Sequence, residues 1–418
     1  MLSFKFLFMR ISLPHDLWNG ERILEADFPR RWDVDFLSME GDGAKLIGEK
    51  EYRAALMPLV PLMKGKNEVC VLFDDLSRPT RAYEIVPSLL EAFADAGIDD
   101  SQVRFLCALG THSPHNNAGF RKKLGKDVLE RFPVYNHNCY ENCETLGRTA
   151  LGTPVTINKE YLRCDLRVGI GSFIPHQFCG FGGGYKIVFP GIAHIDAIAY
   201  HHGLLLQQNM DTCWGLGNHS CNVILSDMRE AGRMARLDIK IDVFVNSSSR
   251  ATRVFAGHPD SLYPAMIEGA LRHYATKARG EYDIVFANTF GKGNEAVIAA
   301  STSEEILSAD GGCLVILNDI EEGQVIHYLM GRFGKNLWGR LGRGERPLHE
   351  RVRRLFLYSR HKDHAGSYWF ATKDDITWVD DLGALIGQLD REYAGKPVRA
   401  AVIPDGTVQM VEKDSVKF

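Results

Sequence analysis

The chain has 418 residues, of which 45% are hydrophobic and 24% are charged, and its formal net charge is −4. This length exceeds what one hydrophobic core usually serves and predicts two or three domains. The charge balance shows no basic stripe of the kind that binds nucleic acid, and no apolar run is long enough to cross a bilayer. The nine cysteines, an odd number, favour reduced thiols and a cytoplasmic protein.

The first part of the chain predicts alternating strands and helices. The apolar segment at residues 1–14 is interrupted by Lys5 and Arg10 and predicts a strand rather than a signal peptide. Further along, "VCVLF" (69–73) predicts a buried strand, and "AYEIVPSLLEAFADAG" (82–97) predicts a helix that ends in glycine. The next strand is predicted at "VRFLCAL" (103–109), and another precedes the loop that begins near residue 173.

The later part of the chain repeats this pattern. Strands are predicted at "KIDVFVN" (240–246), "YDIVFANTF" (282–290) and "GCLVILND" (312–319), with a helix at "NEAVIAASTSEEILSA" (294–309). The basic stretch "GRLGRGERPLHERVRR" (339–354) alternates with apolar residues and favours a solvated helix face over a nucleic-acid patch. The sequence therefore predicts an α/β fold.

Three of the predicted loops that follow strands carry polar side chains suited to chemistry. In open α/β sheets, ligands bind outside the carboxyl ends of the strands, so we expect these side chains to converge on one site. The candidates are Asp74, Asp75 and Arg78 in the first loop, His112 in the second, and His176 and Lys186 in the third.

The third loop, "HQFCGFGGGYKIVFPG" (176–191), carries a lysine from a glycine-rich stretch into an apolar, strand-like run. No Ser or Thr follows Lys186, and the spacing G-x-G-x-x-G is missing, so neither the Walker-type phosphate loop nor the dinucleotide fingerprint fits. Two interpretations remain. The backbone closely approaches a bulky ligand with Lys186 as a charged or covalent anchor, or the loop is a tight turn with a solvated lysine.

The histidines and the first loop add functional groups to this candidate site. A pair of imidazoles such as His112 and His176 can exchange donor and acceptor roles near neutral pH, and a third, His202, can bind a metal. The alternative interpretation of each histidine is a structural residue that only forms hydrogen bonds. We expect only one of the adjacent His201 and His202 to face the site. Asp75 and Arg78 suit ribose, phosphate or carboxylate groups, or form a surface ion pair with each other.

The motifs "DDLSRPT", "ALGTH", "FIPHQFCGFGGGYKIVFPGIA" and "AYHHG" resemble, in order and spacing, those of the lactate racemase family that uses a nickel-pincer nucleotide. The resemblance implies a pyridinium-3,5-bisthiocarboxylic acid mononucleotide of nickel, joined covalently through a thioamide to Lys186, with His202 as the protein ligand of nickel. It also implies accessory proteins that make the cofactor. The remaining implied cofactor-binding residues are Asp75, Ser77, Gly183 and Gly184.

By the same resemblance, His112 and His176 match the two acid/base histidines of the family, and Arg78 matches the residue that holds the substrate or polarises its oxygen. One histidine takes the hydroxyl proton of a 2-hydroxy acid while the Cα hydride passes to the cofactor. Return of hydride to the opposite face inverts the centre. The resemblance therefore implies a racemase or 2-epimerase.

The chain departs from the family where a glutamine and, three residues later, a lysine engage the substrate. Our alignment places Ala296 and Ala299 there, which predicts a wider, less cationic pocket and a 2-hydroxy acid other than lactate. Lys292 or Asn294 could take over the substrate contact. Two other functions stay open, namely a zinc-dependent hydrolase built on the three histidines and a non-catalytic carrier of the nickel nucleotide.

These observations predict two α/β domains with the active site in the cleft between them. Residues 1–275 would form the cofactor-binding and catalytic domain, and residues 276–395 would form a second α/β domain that closes over the substrate. Residues 396–418 would add a strand and a turn that pack back on the first domain.

Overall fold

Two six-stranded sheets organise the chain in the computed structural model, which describes residues 8–331 and 346–413. The described strands, in chain order, are β1 (Phe8–His15), β2 (Arg22–Pro29), β3 (Trp32–Phe36), β4 (Val69–Phe73), β5 (Val103–Cys107), β6 (Val134–Asn136), β7 (Cys143–Arg148), β8 (Pro154–Asn158), β9 (Leu166–Ser172), β10 (Pro175–His176), β11 (Gly180–Phe181), β12 (Ile239–Val245), β13 (Ala251–Gly257), β14 (Ala275–Ala278), β15 (Ile284–Asn288), β16 (Gly312–Leu317), β17 (Val352–Tyr358), β18 (Ile376–Val379), β19 (Val398–Ile403) and β20 (Met410–Lys413).

Helices cover both sheets. The described α-helices are α1 (Glu49–Leu56), α2 (Val60–Met63), α3 (Ala82–Ala96), α4 (Asn117–Leu124), α5 (Lys126–Arg131), α6 (Lys159–Arg163), α7 (Ile195–Ala199), α8 (Leu206–Gln208), α9 (Met210–Cys213), α10 (Val223–Ala235), α11 (Pro259–His273), α12 (Val297–Ser303) and α13 (Leu382–Glu392). A π-helix, Tyr200–Leu205, connects α7 to α8. None of the described helices combines the length and the apolar character that a membrane span requires.

Sheet I has the strand order β13-β12-β9-β4-β5-β6 and is parallel except for β13. Sheet II has the order β18-β17-β16-β15-β19-β3, and all its pairs are parallel. The central strands β4, β9, β15 and β16 are buried along their whole length. Burial on both faces explains why these strands are continuous apolar runs in the sequence.

Most of the elements predicted from the sequence are confirmed. The N-terminal strand is present from Phe8, and α3 ends at Gly97, whose φ of 80° is the left-handed conformation that favours glycine. Two predictions are wrong. The apolar run after Lys186 forms a 3-10 turn, Gly184–Ile187, instead of a strand. In the basic stretch, residues 339–345 lie outside the described residues, and the part from Val352 onward is β17 instead of a helix.

The N-terminal segment belongs with sheet II, which corrects the boundary expected for the first domain. Strand β3 pairs in parallel with β19, so Trp32 lies opposite Val398. The hairpin β1–β2 packs on the same sheet, where Phe28 meets the Phe286 ring at 5.0 Å between centroids. The sequence gives no signal that β3 pairs with β19, because the two strands lie near opposite ends of the chain. At the other end, β20 pairs with β14, and Met410 reaches the core of sheet I.

Candidate active site

A cavity of about 570 Å³ lies where the carboxyl ends of strands from both sheets meet. Its polar lining comes from loops that follow β4, β5 and β9 in sheet I and β15 and β16 in sheet II. This is the position at which open α/β sheets bind ligands. The sequence-predicted residues that line it are Asp74, Asp75, Arg78, His112, His176, Gly183, Lys186, His202, Lys292 and Asn294.

Asp75 orients His112. The Asp75 Oδ2 atom lies 2.6 Å from His112 Nδ1, and its Oδ1 accepts hydrogen bonds from the backbone N–H (2.9 Å) and the hydroxyl of Ser77. Burial alone would raise the pKa of Asp75, but the charge and hydrogen bond of His112 hold it well below its usual value. Because an ionised carboxylate only accepts, His112 carries a proton on Nδ1, and its Nε2 faces Glu295 at 3.6 Å.

These contacts differ from the ion pair between Asp75 and Arg78 that the sequence suggested. Ser77 also acts through Asp75, and it is not among the residues that line the cavity. A residue that the sequence analysis missed, Lys123, holds the whole loop. Its buried amine pairs with Asp74 at 2.7 Å and donates to the carbonyls of Asp75 and Arg78, both at 2.9 Å.

Arg78 reaches across the cavity to sheet II. Its Nη1 donates to Glu295 Oε2 at 2.8 Å, and the amine of Lys292 lies 2.6 Å from the same oxygen. Burial lowers the pKa of Lys292 to about 8, with Glu295 opposing that shift. Glu295 therefore links the two cations, and nothing in the sequence pattern singled it out.

His176 presents a different nitrogen from His112. Its Nδ1 accepts a hydrogen bond from the backbone N–H of Phe178 at 3.1 Å, so the proton of the neutral ring sits on Nε2. Burial, followed by the charges of Lys186 and Arg78, holds the pKa of His176 well below its usual value. The His176 ring is consequently neutral and offers an N–H donor on Nε2.

The glycine loop brings Lys186 to the cavity wall. At Gly183 (φ +85°) an added Cβ would lie 2.8 Å from Phe173, and at Gly184 (φ +54°) it would lie 2.8 Å from Tyr263. Packing therefore demands glycine at both positions. Gly183 lines the cavity, whereas Gly184 is buried behind it and donates its N–H to Asp242 at 2.9 Å.

The amine of Lys186 has no hydrogen-bond or ion-pair partner among residues 8–331 and 346–413, although it faces the cavity. Burial and then the charge of Arg78 lower its pKa. A lysine in this state has a larger fraction of neutral, nucleophilic amine than a solvated one. The tight turn with a solvated lysine is therefore not what the structure shows.

His201 and His202 lie in the π-helix and point to different places. His201 is buried and donates from Nε2 to the carbonyl of Ile224 at 3.0 Å, which leaves its Nδ1 as an acceptor. That Nδ1 lies 3.0 Å from His202 Nδ1, so His202 is the donor in this contact. His202 lines the cavity and keeps Nε2 unprotonated there, which is the form that binds metals.

On sheet II the structure corrects the expected pocket wall. Ala296 and Ala299 are fully buried in the core of sheet II, and neither lines the cavity, so they do not widen it. The 3-10 turn Gly293–Glu295 and the start of α12 present Asn294, Glu295 and Ile298 instead.

A further histidine, His327, comes from the loop after β16. Its Nδ1 accepts from the backbone N–H groups of Leu329 (3.3 Å) and Met330 (3.0 Å), and its ring centroid lies 5.1 Å from that of His112. Burial, followed by the charge of His112, lowers the pKa of His327 to about 3. A lone histidine in "VIHYLMG" carries no motif, so the sequence analysis missed it.

The zinc interpretation predicts three metal ligands in one cluster. Among the residues that the structure describes, no group of three or more His, Cys, Asp or Glu side chains could hold a metal ion. The resemblance requires only one protein ligand, and His202 has the geometry for it.

Fold and site together define an α/β protein with a cavity between two sheets, into which loops from both sheets place polar side chains. The family model for the lactate racemase N-terminal domain matches residues 20–213. The curated lactate racemase of Thermoanaerobacterium thermosaccharolyticum is 29% identical over 271 residues, and that of Lactiplantibacillus plantarum is 25% identical over 272. Each match covers 63% of this chain and 63% of the relative. Over these residues the chain is similar to the lactate racemase family.

Solved structures show the same fold over nearly the whole chain. The lactate racemase apoprotein of Thermoanaerobacterium thermosaccharolyticum superposes with a TM-score of 0.71 at 24% identity, covering 97% of this chain and all of the other. A Thermotoga maritima protein superposes with a TM-score of 0.64 at 15% identity, covering 88% and 98%. The predicted α/β fold is confirmed by these likenesses.

Proposed function

We propose that the chain is a racemase or 2-epimerase that inverts C2 of a 2-hydroxy acid other than lactate. The observation that carries the proposal is the pair His112 and His176, which line one cavity while Nδ1 is held by Asp75 on one ring and by the Phe178 backbone on the other. Hydride that leaves and returns on one side of the cavity inverts C2 only if the planar 2-keto acid presents its other face, which moves its oxygen, so each position of the oxygen needs an acid/base group.

The residues fit the nickel-pincer nucleotide that the family resemblance implies. The unpaired amine of Lys186 would hold it covalently, and Nε2 of His202 would bind nickel. Gly183 and Asp75 lie in the wall around this place, and the cavity volume is in the range of small-molecule sites. When bound, this group accepts the Cα hydride and returns it.

The chain's own residues would supply proton transfer and orientation. His112 Nε2 takes the hydroxyl proton, and Asp75 stabilises the resulting imidazolium as a buried carboxylate partner does. His176 would return a proton from the other side in its imidazolium form, because a neutral ring cannot give up its only N–H, and the roles would reverse for the other stereoisomer. Arg78 lies beside His112 and can polarise the substrate oxygen. Proteins that make the cofactor would be partners in the cytoplasm.

The test is an isotope assay on protein co-produced with the cofactor-making enzymes. Enantiopure 2-hydroxy acids with deuterium at Cα are incubated with the protein, and the products are separated by chiral chromatography. We expect inverted product that retains the label, because hydride returns internally. Washout of the label to solvent would indicate simple proton abstraction, and efficient racemisation of lactate would contradict the proposed substrate class.

A further inference from the structure

Glu295 lines the cavity but has no role in the proposed mechanism. Its Oε2 accepts from Arg78 at 2.8 Å and from Lys292 at 2.6 Å, and only 17% of its side chain is exposed. Burial alone would raise the pKa of Glu295, but Arg78 and Lys292 hold it well below its usual value. The carboxylate is therefore ionised, and it forms ion pairs with Arg78 and Lys292 beside His112.

The other described cations of the cavity wall are also paired, with one exception. Lys240 binds Asp242 at 2.6 Å, and Arg346 binds Glu304 at 2.6 Å. The exception is Lys186, whose charge is lost once it forms the proposed thioamide. A substrate carboxylate would then have to displace Glu295 or remain unpaired in an enclosed site, which is costly.

We propose that Glu295 is a specificity-determining residue that keeps small carboxylates off the Arg78–Lys292 pair and instead receives a hydroxyl group of the substrate. Glu295 Oε1 lies 3.6 Å from His112 Nε2, and because the carboxylate is ionised it only accepts, so a substrate group placed beside it must donate. A hydroxyl can donate to Glu295 and still accept from Arg78. The substrate class is therefore a 2-hydroxy acid with further hydroxyl groups, whose hydroxylated part meets Glu295.

This inference rests on the proposed function only in taking the cavity as the place of reaction. Its test measures binding, so it is separate from turnover. Lactate is titrated calorimetrically into the full-length wild-type chain and into E295Q, both co-produced with the cofactor-making enzymes so that Lys186 carries no free charge. E295Q keeps the shape of the side chain and removes its charge. We expect lactate to bind E295Q about 10- to 100-fold more tightly, the effect of freeing charged hydrogen-bond donors.

The matched control is E322Q. Glu322 pairs with Lys122 at 2.7 Å and is not among the cavity-lining residues, so this variant changes the protein charge equally and should bind lactate as the wild type does. E295D, which keeps the charge, should also resemble the wild type. Equal lactate affinity of wild type and E295Q would overturn the proposal.

A second variant tests the same point without depending on how E295Q folds. If the Lys292 amine is already paired with Glu295 and does not contact lactate, then Lys292→Met should leave lactate affinity within about twofold of the wild type. A tenfold or larger loss would show that lactate reaches the Lys292 amine, and the proposal would be wrong. Absence of racemisation in the isotope assay, with the E295Q gain intact, would contradict the proposed function and leave the role of Glu295 standing.

Discussion

The two walls of the cavity differ in how the sequence encodes them. On the sheet I side, the functional groups sit in short motifs, and the contact between Asp75 and His112 joins residues 37 apart in the chain. On the sheet II side, the contact between Arg78 and Glu295 joins residues 217 apart. In the proposed function, the first wall would hold the cofactor and the second would face the substrate. Functional residues that sit in short motifs can be recognised in a single sequence. Residues that meet only through contacts between distant parts of the chain cannot.

The largest expected effect is a difference in cofactor attachment between the two cavity lysines, Lys186 on the sheet I wall and Lys292 on the sheet II wall. Protein co-produced with the cofactor-making enzymes should gain a nucleotide-sized mass, and Lys186→Ala should abolish that gain, because the amine would form the covalent bond. Lys292→Ala is the matched control, since Lys292 also faces the cavity with a lowered pKa of about 8. Intact-mass spectrometry decides the matter. Loss of the adduct in the Lys292 variant alone would reverse the assignment of the two walls.

The next effect concerns the acid/base pair, which lies on sheet I. His112→Ala and His176→Ala should each lower turnover by about 10²–10⁴-fold while the nickel content and the adduct mass remain unchanged. His349→Ala is a suitable control, because His349 contacts Glu305 at 3.3 Å and does not line the cavity. The measurement is the rate of C2 inversion in both directions. A variant of either histidine that keeps full activity would remove it from the mechanism.

A smaller difference is expected between the two histidines of the π-helix. His202→Ala removes the proposed nickel ligand, whereas His201→Ala removes only the acceptor that orients it at 3.0 Å. Loss of such an orienting partner typically costs 10–100-fold in metal affinity, so His201→Ala should retain more nickel than His202→Ala. Nickel and zinc are quantified by mass spectrometry of the purified proteins. Equal losses, or zinc in place of nickel, would contradict the assignment of His202.

The fold was predictable because its central strands are buried on both faces and therefore appear as apolar runs such as residues 69–73 and 284–288. The sheet in which a strand lies was not predictable, as β3 shows, because pairing with β19 involves residues more than 300 positions apart. Likewise, the alignment placed Ala296 and Ala299 in the pocket because it fixed the sequence position but not the helical face that points inward. Lys123 was missed because a buried lysine carries no motif.

The smallest expected effect tests whether His327, on the sheet II wall, is held neutral by burial. The pKa of His327 is about 3, below the ordinary value of about 6.5. Between these two pH values the unfolded chain therefore binds a proton at His327 that the folded protein does not bind. Stability from this group is therefore complete above pH 6.5 and decreases as the pH falls towards 3. Between pH 6.5 and 5, the loss from His327 amounts to at most about 2 kcal/mol.

His327→Gln removes this titration but keeps an acceptor for the backbone N–H groups of Leu329 and Met330. The free energy of unfolding, measured with urea at several pH values, should therefore fall less steeply with acid in the variant. Other buried histidines, such as His137 with a pKa of about 4, titrate in both proteins and cancel in the difference. Parallel pH curves for wild type and variant would show that His327 takes up its proton normally. His327 on the sheet II wall would then be charged in the folded protein at mildly acidic pH, contrary to the neutral state that its burial predicts.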